Sequence, residues 1–166
     1  MMTTDRAKDA AEQKKFIDAI NKAGVSLSFK GNLVIIESKS AVSVLLAKNA
    51  LTAFNRGFDA KTSLLLLDEN YDLAVLNIGN YANSQKRQIG LKGRIIGSRG
   101  VIKQRLSNAT SCYIKIFGKT VSIIGNYQNL NIAVEAVEML LNGAKHDRVF
   151  LMIDKRKLEA YGDRNS

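Results

Sequence analysis

The chain contains no proline and no tryptophan, and its 166 residues include one cysteine and one histidine. A single cysteine excludes a disulfide framework within the chain. One cysteine and one histidine also fall short of the roughly four ligands a structural zinc site needs. Ordinary chains carry about 5% proline, so its absence removes the usual punctuation of loops and leaves glycine to mark element ends. Nowhere do about 18 apolar residues run together as a membrane-spanning helix requires. The N-terminal MMTTDRAKDAAEQKK has no apolar core of signal-peptide type. These absences predict a cytoplasmic protein with no metal, no cofactor and no membrane partner.

Acidic residues are also missing from one long stretch. From Leu73 to Val134 there is no Asp or Glu, while Lys86, Arg87, Lys92, Arg94, Arg99, Lys103, Arg105, Lys115 and Lys119 lie inside, so this segment holds nine of the net ten positive charges. Residues 1 to 72 carry ten basic against nine acidic residues, and residues 135 to 166 carry six of each. A solvated surface mixes signs, so an acid-free middle points to a polyanionic partner. A membrane surface would call for the cations on one amphipathic helix, and here they spread over helices, a loop and strands. With 46% hydrophobic and 24% charged residues the chain has a globular composition, and its length suits one ordinary domain or two small ones.

Periodicity places a helix over residues 5 to 23, with Phe16, Ile17 and Ile20 near one face and Gly24 after it. VSLSFK and LVIIES read as strands about Gly31-Asn32, with both turn residues at positive φ. Ser40 caps a second helix whose apolar set is Val44, Leu45, Ala47, Leu51 and Phe54, and Asp59 caps a short one through Leu67 that holds a core run from Leu64 to Leu67. Residues 71 to 79 alternate as a strand, and Ser84 to Ile96 form a basic helix. Val101 to Thr110 form another, CYIKIF and TVSIIG are strands joined at Gly118-Lys119, and Tyr127 to Leu141 form a long helix ended by Gly143.

The order helix, strand, turn, strand, helix thus occurs twice. FKG at 29 to 31 matches IFG at 116 to 118, LVII at 33 to 36 matches VSII at 121 to 124, and Ala47 and Ala50 match Ala133 and Ala136, at offsets of 86 to 88. Such a repeat predicts an α+β fold of two tandem units, each an antiparallel sheet covered by helices on one face. The expected divisions are 1–67, 68–153 and a mobile tail 154–166, with the apolar patch Val149 to Ile153 docked on the body.

Gly97-Ser98-Arg99-Gly100 joins the two central helices within IIGSRGVIKQRL, which resembles the signature of the KH domain, here of type I. Gly90-Leu91-Lys92-Gly93 has the same spacing but lacks that context. The resemblance implies a loop that clamps the sugar-phosphate backbone of about four single-stranded nucleotides. The physics agrees: two residues without Cβ admit a phosphate close to the backbone, the helix from Val101 offers unpaired N–H groups, and Arg99 adds a cationic fork. A groove for the bases is expected over Ile96, Val101, Ile102 and Leu106, with Tyr113, Ile114 or Ile116 on the neighbouring strand. Lys92, Arg94, Lys103, Arg105, Lys115 and Lys119 are candidate phosphate contacts. The corresponding place in the first repeat is Ala10-Ala11-Glu12-Gln13, where this clamp cannot form, so that unit is expected to pack against the second or to bind a protein.

LKGRIIGSRG, YIKIFGKTVSIIG and IAVEAVEMLLNGAKH, within residues 91 to 146, are similar to archaeal members of the Partner of Nob family of ribosome-assembly proteins, and residues 57 to 82 are similar to that family's link between its KH units. The resemblance implies a non-enzymatic factor that binds the 3′ region of small-subunit ribosomal RNA. It further implies contacts with the maturation endonuclease and an association with the alpha subunit of initiation factor two. A generic KH adaptor or messenger RNA regulator would share the clamp, and a protein-interaction scaffold would share the basic surface. Enzymatic motifs fail. Gly118-Lys119-Thr120 lies between strands, and Tyr113 stands where a phosphate-binding loop needs its first glycine. Cys112 begins a strand, where an inert thiol is expected. His146 follows a helix end and is read as favouring that helix dipole. Glu135 and Glu138 read as solvated charges, and Asp68, Glu69 and Asp72 as a turn cluster.

Overall fold

The structure is a computed structural model that describes residues 6–162. Asp5, the expected start of the first helix, and residues 163–166 of the expected tail lie outside the described residues. The chain divides into two compact units, Met1–Tyr71 and Asp72–Ser166.

In the first unit, α1 (Arg6–Lys22) leads into a hairpin of β1 (Ser26–Lys30) and β2 (Leu33–Glu37), followed by α2 (Ala41–Asn55) and a short α3 (Ala60–Leu64) that tightens into a 3-10 turn over Leu65–Leu67. The caps are side-chain oxygens, as expected. Ser40 accepts from the Ser43 N–H and Asp59 from the Thr62 N–H. Phe16 and Ile20, one helical turn apart, are buried with Ala47, Ala50 and Ala53, and Phe16 stacks on Phe54 at 4.5 Å. Three buried alanines let α2 sit close to its neighbours, whereas Leu45, expected in the core, is exposed, and of the four-leucine run only Leu66 is buried. Gly31 takes φ 60°, but Asn32 does not share the positive φ expected of it: among the described residues the non-glycine residues with positive φ are Arg99 and Ser111.

The second unit runs β3 (Tyr71–Asn77), α4 (Gln85–Ile96), α5 (Val101–Thr110), β4 (Tyr113–Phe117), β5 (Thr120–Asn126), α6 (Tyr127–Leu141) and α7 (His146–Tyr161), with sheet order β3-β5-β4. β4 and β5 are antiparallel, pairing Tyr113 with Ile124 through Phe117 with Thr120. As the central strand, β5 has six consecutive buried residues. Ile95, Leu106, Ile114, Val121, Ile123 and Leu140 fill the core, each worth about 1.5–3 kcal/mol of apolar burial. Val149, Phe150 and Ile153 of α7 join that core. Residues 154 to 161, expected as a mobile tail, continue α7. Arg156 bridges to Glu135 at 2.9 Å, and the Tyr161 hydroxyl donates to Asn129 Oδ1 at 2.8 Å. The tail sequence DKRKLEAY has no helix breaker, and its polar residues decorate a helix whose first two turns are anchored by apolar burial.

Candidate nucleic-acid interface

The loop between α4 and α5 owes its shape to its residues. α4 ends where the Gly97 N–H donates to the Gly93 carbonyl at 2.8 Å, and Gly97 then leaves the helix at φ 71°, ψ 176°. A Cβ at Gly97 would stand 2.4 Å from Ile102 Cγ1 and 2.9 Å from the Ile102 nitrogen, so glycine here is required by packing as well as by φ. Arg99 sits at φ 53°, ψ 27°, a left-handed conformation that costs a non-glycine residue roughly 1–2 kcal/mol. Gly100 follows at φ 75° with open space where a Cβ would be. A Gly100 N–H to Gly97 carbonyl bond of 3.3 Å closes the loop.

The result is a projecting corner with both Ser98 and Arg99 exposed. No side chain caps the start of α5, and its first turn holds no acid, so its N–H groups and dipole meet no internal competition for an anion. Among the described residues, ion pairs involve Arg156 alone of the cations, so Arg99, Lys92, Lys103, Lys115 and Lys119 are free of acidic partners.

Two of the expected phosphate contacts are otherwise engaged. Arg94 is half-buried and turned inward, its Nη2 donating to the Ala144 carbonyl, while its own carbonyl accepts from His146 Nε2 at 2.9 Å. His146 therefore opens α7 and ties it to α4, in place of the dipole role expected of it. Arg105 lies with its guanidinium carbon 3.7 Å from the centre of the Phe150 ring on α7. Val101 shares that stripe of α5, one turn before Arg105, and is exposed beside the loop. Leu106 and Ile114 are core residues, so the groove floor narrows to the half-buried Ile96 and Ile102. On β4 the pleat puts Ile114 and Ile116 on the core side and Tyr113, Lys115 and Phe117 on the other, with both aromatics about half exposed. Phe117 escaped the sequence reading, although the alternation in YIKIF signals it.

The remaining reactive groups are quiet. Cys112 is buried, donates to the Thr110 carbonyl at 3.5 Å, and has its pKa pushed up by burial to about 11. Glu135 is held by Arg156, and Glu138 lies by Tyr81, whose phenol is raised chiefly by burial and then by that carboxylate. Asp68 and Asp72 accept from backbone N–H groups of Asn70 and Leu73. No cluster of metal-ligating side chains occurs among the described residues, and no described helix is long and apolar enough to cross a membrane.

A strand, two helices about a Gly-x-x-Gly corner, two strands and a helix, with sheet order first, third, second, define a type I KH domain. A family model described as the eukaryotic-type KH domain (KH domain type I) matches residues 72–157, and it is the model for the second such domain of the Partner of Nob proteins. The chain belongs to that family. It is 34% identical over 121 residues to a KH domain-containing protein of Methanocaldococcus jannaschii, covering 73% of this chain and 53% of that protein. It is 31% identical over 104 residues to the pre-rRNA-processing protein pno1 of Aspergillus oryzae, covering 59% and 39% respectively. The chain thus spans about half the length, or less, of these relatives. Among solved structures, the complex of a/eIF2alpha, aDim2p and rRNA from Pyrococcus horikoshii matches with a TM-score of 0.78 and 26% identity, over 90% of this chain and 85% of that one.

Proposed function

We propose that this protein is an RNA-binding ribosome-assembly factor that grips single-stranded RNA, the 3′ region of small-subunit ribosomal RNA, through its second unit. The observation that carries the reading is the Gly97–Gly100 corner. It is a strained, exposed loop over an uncapped helix N-terminus, within 62 residues that contain no acid. Gly97, Ser98, Arg99 and Gly100 hold the phosphates, with Lys92, Lys103, Lys115 and Lys119 as flanking cations, and Ile96 and Ile102 lie under the bases. Val101 borders the loop, while Arg94 and Arg105 brace the fold. The rRNA in the Pyrococcus complex and the pre-rRNA role in the name of the Aspergillus relative support the ribosomal target. The alpha subunit of initiation factor two, present in the Pyrococcus complex, is the protein partner proposed with it, and a maturation endonuclease is proposed on the family resemblance alone.

The test is a titration of the full chain against RNA from the 3′ end of its own small-subunit ribosomal RNA, with a scrambled RNA beside it, at several salt concentrations. With about three or four phosphates gripped, log affinity falls with log salt at a slope of roughly −2 to −3. The double variant Ser98→Asp, Arg99→Asp keeps both glycines and should lose most of the binding. Equal affinity for both RNAs would favour a generic KH adaptor. Binding untouched by the double variant would sink the clamp and leave the basic surface to a protein scaffold role.

A further inference from the structure

Helix α5 presents to solvent a face other than the one that buries Leu106. Two rows of residues at four-residue spacing stand on it, Val101, Arg105 and Ala109 in one and Gln104 and Asn108 in the other. Between them lies a shallow groove of about 510 Å³ lined by these five residues. It starts at Val101, directly after the Gly97–Gly100 corner, and runs away from the corner along the helix. The small Ala109 side chain leaves its far end open.

Arg105 gives the groove its chemistry. Its guanidinium carbon lies 3.7 Å from the centre of the Phe150 ring, a stacking distance. The residue is nevertheless exposed, and among the described residues its side chain makes no hydrogen bond and no ion pair. The ring thus holds one face of the planar cation, and the opposite face meets solvent. On the other row, Gln104 Nε2 donates to Asn108 Oδ1 at 3.2 Å. That bond orients both amides and leaves the Gln104 oxygen as an acceptor and the Asn108 nitrogen as a donor.

From these observations we infer that the groove seats one unpaired base of the RNA strand, next to the nucleotides held at the corner, stacked on the free face of Arg105 with its edge hydrogen-bonded to Gln104 and Asn108. This rests on the clamp proposed above and adds to it a subsite on the outer face of α5. Three features favour RNA over a protein segment. α5 carries no acid and begins directly after Arg99 and Gly100. Val101 is the single large apolar side chain in the groove, where a docked helix or strand needs several apolar anchors. A guanidinium plane backed by an aromatic ring is a platform on which single-stranded bases stack, and every base edge offers a donor beside an acceptor to a pair of amides.

The experiment uses the full chain and a nonamer from the 3′ end of its own small-subunit ribosomal RNA, with the best-binding tetranucleotide of that sequence beside it. 2-Aminopurine, whose emission falls when it stacks, replaces each base of the nonamer in turn, and amide chemical shifts locate both RNAs on the protein. The nonamer should bind more tightly than the tetranucleotide and shift the amides of Val101, Gln104 and Asn108. Arg105→Lys keeps the charge and loses the plane. It should restore emission at one nonamer position and weaken nonamer binding about five- to a hundredfold, while tetranucleotide binding and the salt slope stay as they were. Gln104→Ala combined with Asn108→Ala should also weaken the nonamer alone. If Arg105→Lys loosens α7, seen as faster amide exchange at Val149 and Ile153, the amide pair decides, because those two exposed side chains are hydrogen-bonded only to each other. Equal affinity for the two RNAs would overturn the subsite. So would an equal loss on both RNAs in Arg105→Lys, which would leave Arg105 a brace of the fold alone. Unmoved amides at Val101, Gln104 and Asn108 would do the same and leave the groove to a protein segment. Binding of both RNAs that ignores the Ser98→Asp, Arg99→Asp exchange is a separate failure, that of the clamp, and would remove the strand that feeds this groove.

Discussion

Residues 97 to 100 and residues 10 to 13 occupy the same place in two copies of one plan, and their backbones have nothing in common. In the second unit the chain leaves α4, passes through φ 71°, 53° and 75° at Gly97, Arg99 and Gly100, and starts α5. In the first unit Ala10, Ala11, Glu12 and Gln13 continue one unbroken helix. The apex position, Arg99 in one copy, is Glu12 in the other, and Glu12 Oε2 accepts from the Ala60 N–H at 2.9 Å. One copy presents a cation to solvent, and the other spends an anion on holding α3. Two glycines and one charge reversal therefore separate an exposed cationic corner from a continuous helix, while the strands and the alanine-lined helix that follow repeat at offsets of 86 to 88.

The sharpest way to break this comparison is to exchange residue types between the two places. Gly97→Ala must place a methyl group against Ile102 and hold it at φ 71°, a combined cost of about 2–4 kcal/mol. Ala10→Gly, the reverse exchange on an exposed helical site, costs about 1 kcal/mol through helix propensity alone. Amide exchange resolved by unit reads both. Equal effects would mean that the corner is an ordinary helix junction.

The two cores differ in a titratable group as well. Cys112 corresponds to Val25, and both are buried. The Cys112 pKa lies at about 11 in the fold, raised from an ordinary 9.0. Below pH 9 the thiol is protonated in folded and unfolded chains alike, and its contribution to stability is complete. Between pH 9 and 11 the unfolded chain alone releases the proton, so stability falls as pH rises, by about 2–3 kcal/mol in all. Cys112→Val installs the residue of the other copy and should remove that pH dependence. The measurement is the urea midpoint at pH 8.5 and pH 11 for both proteins, and parallel losses would show that the thiol is not buried in the way described.

A smaller difference is expected between Val34 and Val121, which hold the same register place in their hairpins, opposite Phe29 and Ile116. Val121→Ala empties fully buried space and should cost about 1.5–3 kcal/mol, whereas Val34→Ala, at a half-covered site, should stay near 0.5 kcal/mol. A large loss at Val34 would mean that the hairpin face is already covered.

Much of this was legible in the residues, and the reasons are physical. Helical spacing of apolar residues marks α1 and α2, and period-two alternation marks β3, because burial of one face is what those patterns encode. The repeat was legible because paired strands and close-packed helices constrain residue types at Phe29-Lys30-Gly31 and Ile116-Phe117-Gly118 alike. What stayed hidden depends on contacts distant in sequence. Nothing near Arg94 says that its guanidinium will find the Ala144 carbonyl fifty residues on, and nothing near Arg105 announces Phe150. Both arginines look like phosphate ligands until α7 is in place. The polar end of α7 was missed for a related reason: a helix anchored at Val149, Phe150 and Ile153 can extend through residues that carry no apolar signal of their own.

The smallest expected effect concerns the second Gly-x-x-Gly. Gly90 and Gly93 lie inside α4, and nothing stands within 4 Å of a Cβ built at either. A helix-interior glycine costs roughly 0.5–1 kcal/mol relative to alanine. Gly90→Ala should therefore stabilise the second unit by that amount, the opposite sign to Gly97→Ala. RNA affinity should be unchanged, because Gly90 stands two helical turns before the corner. If stability rose and RNA binding fell, the RNA path would have to run along α4, with Gly90 serving as a close-approach site. The grip would then extend beyond the four residues whose backbone sets this unit apart from its partner copy.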